Sequence, residues 1–178
     1  MSVSRFLASA LVGAVVSTTL LTTTTTASAA PGAAPASAPA APGASRAASI
    51  QRTVVNLTNG ERKRAGCPAL KIRSALHRAA ERHSADMARN DYMGHVGSNG
   101  STLTERIEAA GYKGWSALAE NVAVGQRTPA DVVGAWMESP GHRANILNCS
   151  LKHIGVGYVK RSGTHYGTYW TQDFGAKT

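Results

Sequence analysis

The chain has 178 residues, with 19 Lys and Arg against 10 Asp and Glu and a formal net charge of +9. This length suits one domain with a core that needs neither metals nor many disulfides, and no internal repeat marks a solenoid or propeller. The basic balance favours anionic cell-wall polymers or membrane surfaces over nucleic acid, for which no motif with interleaved aromatics appears; a basic surface that only keeps the protein soluble is the other reading.

The N-terminus has the plan of an export signal. Met1 to Arg5 supplies positive charge, Phe6 to Leu21 is an uncharged apolar run, and Ala27-Ser28-Ala29 gives an A-x-A cleavage pattern. The run is short for a membrane span, which needs about 20 residues. The expected organisation is therefore a signal peptide over 1–29, a linker over 30–48 and a folded domain over 49–178, with no transmembrane anchor after cleavage and a secreted, extracellular location. Loss of Arg5 with the signal lowers the charge from +9 to +8. The linker is almost entirely Ala, Pro, Gly and Ser, too poor in apolar side chains to offset the entropy of ordering it. In an exported protein, Cys67 and Cys149 are expected to pair, closing a loop worth about 4 to 5 kcal/mol in the chain-entropy model.

Within the domain, Ile50, Val54, Val55 and Leu57 recur at helical spacing behind Ser49 as N-cap, with Gly66 as the stop. A second helix starts near Ser74, carries Leu76, Ala79, Ala80, His83 and Met87, and breaks at Asn90-Asp91. A third runs from about Thr102 to Ala110, with Thr102 and Glu105 at capping-box spacing and Gly111 after it. Thr128-Pro129 opens a fourth, whose apolar side is Val132, Val133, Trp136 and Met137. Pro140 must interrupt it, which makes His142 to Leu147 a separate turn or helix. The alternations Ile154, Val156, Tyr158 and Tyr166, Thr168, Trp170, joined by Arg161-Ser162-Gly163-Thr164, predict a β-hairpin. Helices first and strands mainly last imply an α+β domain.

Five blocks then carry a resemblance: Ser84-Ala85-Asp86-Met87-Ala88 with the preceding Ala79-Ala80, Tyr92-Met93-Gly94-His95, Ala119-Glu120-Asn121-Val122-Ala123, Trp136 to Arg143, and His153-Ile154-Gly155-Val156-Gly157. In order and spacing they resemble the CAP family of cysteine-rich secretory and pathogenesis-related (SCP-like) proteins, in its bacterial branch. The resemblance implies an α/β/α sandwich with a central antiparallel sheet, and a cleft lined by two histidines and two acids whose histidines can hold a divalent metal. By motif, His95 is the first histidine, Glu120 the first acid and His142 the second histidine. The second acid departs from the eukaryotic pattern: Ser139 stands at its position, and Glu138 lies one residue early.

Two imidazoles and a carboxylate are donors that zinc accepts, and without a fourth protein ligand the site stays open and exchangeable. The carboxylate can instead orient a histidine from outside the metal's own ligands. In the simplest reading, His95 and His142 only hydrogen-bond Glu120 and hold loops together. The resemblance implies a binding module for lipid, cell-surface polymer or protein; the alternative is a metal-dependent hydrolase of peptide or cell-wall material with Glu120 as base. Ser139 beside His142 suggests a serine hydrolase, but no nucleophile-elbow motif supports it. His77, His83, His153 and His165 read as structural or surface residues. Trp115, Trp136 and Trp170 read as core anchors more readily than as an aromatic binding wall.

Overall fold

The computed structural model describes residues 42–178, so the signal-peptide reading and the first part of the linker reading lie outside the described residues. In chain order the elements are α1 (Pro42–Arg64), β1 (Lys71–Ile72), α2 (Ser74–Asn90), α3 (Leu103–Ala109), β2 (Trp115–Val124), α4 (Pro129–Glu138), α5 (Pro140–Ile146), β3 (His153–Lys160) and β4 (Thr168–Lys177). This is the α+β class that the order of patterns implies.

The helix boundaries follow local chemistry. Thr102 and Thr128 each close a capping box, with Glu105 and Asp131 respectively, and so satisfy backbone donors that the first turns of α3 and α4 leave free. Pro140 holds Ser139 in extended geometry, which separates α4 from α5. The first helix differs from expectation. It begins at Pro42, where proline loses no intrahelical bond, and the Ala47-Ala48 pair continues it past Ser49, so the last residues of the stretch read as linker are helical. Tyr166 also falls outside its expected strand, because β4 starts at Thr168 after a longer connection.

The sheet has strand order β1-β3-β4-β2. β4 runs antiparallel to both β3 and β2, while the two-residue β1 pairs parallel to β3. β2 was not signalled by alternation, since residues on both of its sides are covered: Glu120, Asn121, Val122 and Ala123 are all buried in succession.

One sheet face packs on α1, α4 and α5 through Val54, Val133, Trp136, Ile154, Trp170 and Phe174. The other carries α2 and α3 at close range. A Cβ on Gly155 would lie 2.1 Å from the Leu76 carbonyl carbon, and one on Gly157 would lie 2.2 Å from the Ala80 carbonyl oxygen. Glycine is therefore required at both positions for α2 to rest on the strands.

The expected disulfide forms between Cys67 and Cys149, whose Cα atoms are 5.0 Å apart. Beside it, the fully buried Arg62 guanidinium donates to the carbonyls of Pro68 (3.0 Å), Ile146 (2.7 Å), Asn148 (2.9 Å) and Leu151 (3.0 Å). These bonds satisfy a buried charge and tie the end of α1 to the segment after α5.

Candidate functional site

His95 sits on the loop between α2 and α3, and that loop is anchored by Asp86 of α2. The Asp86 carboxylate accepts hydrogen bonds from the Ser98 amide (2.8 Å), the Ser98 hydroxyl (2.6 Å) and the Tyr92 hydroxyl (2.7 Å). Burial works to raise the Asp86 pKa, but these donors and Arg89 outweigh it and bring it down to about 2. Arg106 of α3 adds a second anchor, donating to the His95 carbonyl and the Ser101 carbonyl, each at 2.9 Å.

Glu120 reaches this loop from β2. Its Oε1 accepts from His95 Nδ1 at 2.8 Å and its Oε2 accepts from Arg106 Nη2 at 2.7 Å. Burial would raise the Glu120 pKa, but the bonds from His95 and Arg106 hold it lowered and ionised. In return, the hydrogen bond to Glu120 raises the His95 pKa against the opposing effect of partial burial. The Glu120 side chain is only 2 % exposed while that of His95 is 58 % exposed, so solvent meets the imidazole and not the carboxylate. With its Nδ1 proton committed to Glu120, neutral His95 keeps its Nε2 lone pair free.

His142 enters from the first turn of α5, on the opposite side of the β2 edge. A chain of buried side-chain bonds positions α5: Gln172 Nε2 donates to Thr58 Oγ1 (2.8 Å), Asn121 Nδ2 to Gln172 Oε1 (3.1 Å), and Asn145 Nδ2 to Asn121 Oδ1 (2.9 Å). Asn121 Nδ2 also donates to the His142 carbonyl at 3.2 Å. Burial, then the charge of nearby His95, lowers the His142 pKa.

His95 and His142 line one open pocket of about 310 Å³, with Met93, Val122, Trp136 and Ser139 among its walls. Glu120 stands behind His95, away from the pocket lining. Glu138 is exposed on α4 and does not line the pocket, whereas Ser139, one residue on, does. No hydrogen bond joins Ser139 to His142 among the described residues. Trp136 and Trp170 are buried, and Trp136 backs the pocket while donating Nε1 to the Val122 carbonyl at 3.2 Å.

Residues that sequence reasoning left outside the site belong to it. His83, read as a packed helical residue, is 1 % exposed and bonds the Gly94 carbonyl through Nε2 at 2.8 Å, with its Nε2 4.0 Å from Glu120 Oε2. Burial lowers its pKa and keeps it neutral. Asp173 is fully buried on β4, directly across the ladder from Glu120, and neither of its oxygens meets a donor among the described residues. Burial and the Glu120 charge push its pKa well up, so Asp173 keeps its proton and in that form can donate to Glu120. The other histidines stay outside: His77 bonds the Val156 carbonyl (2.8 Å), and His153 meets Tyr112 (2.7 Å) and Arg73 (3.0 Å).

For a metal, the cleft offers two imidazoles. Among the described residues no group of three or more His, Cys, Asp and Glu side chains could hold an ion. Both Glu120 oxygens are already engaged by His95 and Arg106, so a closed four-ligand zinc site does not fit. His95 and His142, which line the same pocket, are the residues that would hold an ion in an open site completed by water or ligand.

The family model for CAP, the cysteine-rich secretory protein family, matches residues 55–174. The uncharacterized protein YkwD of Bacillus subtilis is 39% identical over 127 residues, covering 71% of this chain and 47% of that protein. The crystal structure of an extracellular protein containing an SCP domain from Bacillus anthracis superposes with a TM-score of 0.67 at 29% identity, over 79% of this chain and 45% of that one. An outer surface protein of Borrelia burgdorferi shares the fold, with a TM-score of 0.64 at 23% identity over 71% of this chain and 92% of its own. The matches to the two Bacillus proteins span about half the length of each, 47% and 45%. No helix among the described residues is long and apolar enough to cross a membrane.

Proposed function

The chain belongs to the cysteine-rich secretory protein (CAP) family, and from that premise we propose that it is an exported, non-enzymatic binding module whose ligand enters the cleft between His95 and His142. The observation that carries this reading is the fixing of His95 by Glu120 through Nδ1 at 2.8 Å, which leaves Nε2 available at a half-exposed ring beside His142. Met93, Val122 and Trp136 give the same pocket apolar walls, suited to a lipid chain or an apolar side chain of a protein ligand. A weak, exchangeable zinc ion is part of the proposal. His95 and His142 would hold it, and Glu120 would orient His95 as a carboxylate outside the metal's own ligands. Zinc there would supply a Lewis-acidic anchor for a polar group of the ligand.

The hydrolase alternative draws on the same Glu120–His95 pair, because a carboxylate that orients an imidazole is a recurring way to prepare a general base. With both Glu120 oxygens engaged, that base would be His95 Nε2 and no longer Glu120 itself. Ser139 in place of the second acid leaves the cleft with one carboxylate, and this favours binding over hydrolysis.

Calorimetric titration of zinc into the chain and into His95→Ala/His142→Ala tests the proposal. The parent is expected to bind weakly and to keep its melting temperature on chelation, while the double variant loses binding. Equal binding by both proteins would overturn the metal site. Affinity should fall as pH drops, starting above the unperturbed histidine value of about 6.5, because the His95 pKa is raised and protonated imidazole has no lone pair for metal. Cleavage of peptide or cell-wall material by the parent, lost in His95→Ala, would replace the binding module with the hydrolase.

A further inference from the structure

A second concavity, distinct from the histidine cleft, lies between the first turns of α1, the turn joining β2 to α4, and the connection between β3 and β4. It is open to solvent and has a volume of about 900 Å³, near the upper end of the usual range for ligand pockets. Three cations from three separate elements line it: Arg46 of α1, Arg127 of the β2–α4 turn and Lys160 at the end of β3. All three are exposed, and among the described residues no acidic side chain lines the groove. None of these side chains has a hydrogen bond or ion pair with another described residue. Like charges gathered without counter-charge disfavour one another unless a ligand or salt neutralises them.

The groove also presents aromatic surface on a firm base. Tyr158 packs on the buried Trp170 with ring centroids 4.3 Å apart, and Tyr166 sits edge-on to Tyr169 at 6.0 Å while remaining 36% exposed. The β2–α4 turn is pinned by its Gln126 carbonyl, which accepts from Thr168 Oγ1 (2.8 Å) and Trp170 Nε1 (3.0 Å). Cations with tyrosine faces match a ligand that alternates anionic groups with polyol or sugar units, since the rings cover C–H surface and the cations meet the charges. Cations contributed by three separate elements can meet several oxygens of a phosphodiester, whereas a planar carboxylate is already satisfied by a single guanidinium fork. The size of the groove exceeds one phosphate and calls for a polymer segment.

We propose that this groove binds a segment of a phosphodiester-linked polyol or sugar polymer of the cell surface. The inference rests on the binding-module reading and extends it. The same β2–α4 turn that contributes Gly125 and Arg127 to the groove contributes Gln126 to the histidine pocket, so a polymer seated here would hold the His95/His142 cleft against the surface that carries it.

The test is calorimetric titration of the full chain with a poly(glycerol phosphate) oligomer of about ten units, at low and at physiological salt. Binding is expected, with affinity falling as salt rises. Arg127→Ala/Lys160→Ala should weaken it at least tenfold and Tyr166→Ala severalfold, while a Lys71→Ala/Lys113→Ala pair on other surfaces leaves it unchanged. Neutral dextran of similar length should not bind. Absence of binding at low salt, equal binding of neutral dextran, or equal losses in the two double variants would overturn the proposal. Tighter binding to anionic phospholipid vesicles than to the oligomer, with the same dependence on Arg127 and Lys160, would overturn the polymer as occupant in favour of a membrane. His95→Ala/His142→Ala should retain oligomer binding. Absence of zinc binding by the parent with oligomer binding kept therefore removes only the metal proposal, and the reverse removes only this one.

Discussion

The two faces of the sheet solve different problems. Toward α1, α4 and α5 the strands present large apolar side chains such as Ile154, Trp170 and Phe174, which belong to the largest buried apolar cluster among the described residues. Toward α2 and α3 the strands present Gly155, Gly157, Thr171, Asp173 and Glu120, which are small or polar, beside Val122 and Tyr169, which form a smaller apolar cluster with Met87. There the polar groups meet partners: Ser84 donates to Thr171 at 2.9 Å, and Glu120 takes Arg106 and His95. The lesson is a division of labour. One face is stable enough that the other can bury charge, bring a helix onto bare backbone, and hold a histidine in one tautomer.

The largest effect that should separate the faces is Phe174→Ala. Phe174 is fully buried in the apolar cluster, and its truncation is expected to cost about 4 kcal/mol by chemical denaturation while leaving the His95 titration unchanged. A shift in the His95 titration would mean that the two faces are not independent. Next comes Gly157→Ala, whose new methyl must displace the Ala80 backbone; a loss of about 3 kcal/mol is expected, together with altered amide shifts along α2.

Asp86→Ala addresses the loop that carries His95. The Asp86 carboxyl lies near 2 in the folded chain against 3.8 for the free group, so its contribution is present above pH 3.8 and lost as pH falls through about 2. Removing it should cost about 2 kcal/mol near neutral pH and increase hydrogen exchange at Ser98, with a vanishing difference from the parent at strongly acid pH. An unchanged exchange rate at Ser98 would show that Arg106 alone holds the loop.

The smallest effect concerns Asp173→Asn. Because burial and Glu120 raise the Asp173 pKa, the folded chain binds a proton that the unfolded chain releases above pH 3.8, and stability declines as pH rises from there. The Asn variant lacks that slope. It should match or exceed the parent in stability at pH 7, with the difference narrowing below pH 4. A variant much less stable at pH 7 would mean that Asp173 is ionised and paired in the native chain.

Much of the helical layer was legible because its signals are local. The Thr102 box, the break at Pro140 and the stop at Gly66 each act within a few residues. β2 was illegible as a strand because Glu120, Asn121 and Val122 are buried in turn for different reasons, an ion pair, an amide network and apolar contact, which erases alternation. The start of α1 was missed because Ser49 carries a cap signal that a longer helix overrides. In the site, His95, Glu120, Ser139 and His142 were named from motif. Arg106, His83 and Asp173 carried no sequence signal, since their partners come from strand register and from the close seat of α2. No count of spacing along the chain shows that Asp173 stands opposite Glu120.

β4 is the last of the four strands in chain order, yet it lies inside the sheet between β3 and β2. Until it arrives, β2 has no neighbour to pair with and β3 has only the two residues of β1. Little of the sheet can therefore assemble as a stable early unit, and most of the entropy of closing long loops falls due in one late step. A chain built this way keeps nearly all of its sheet unpaired until its final segment is in place.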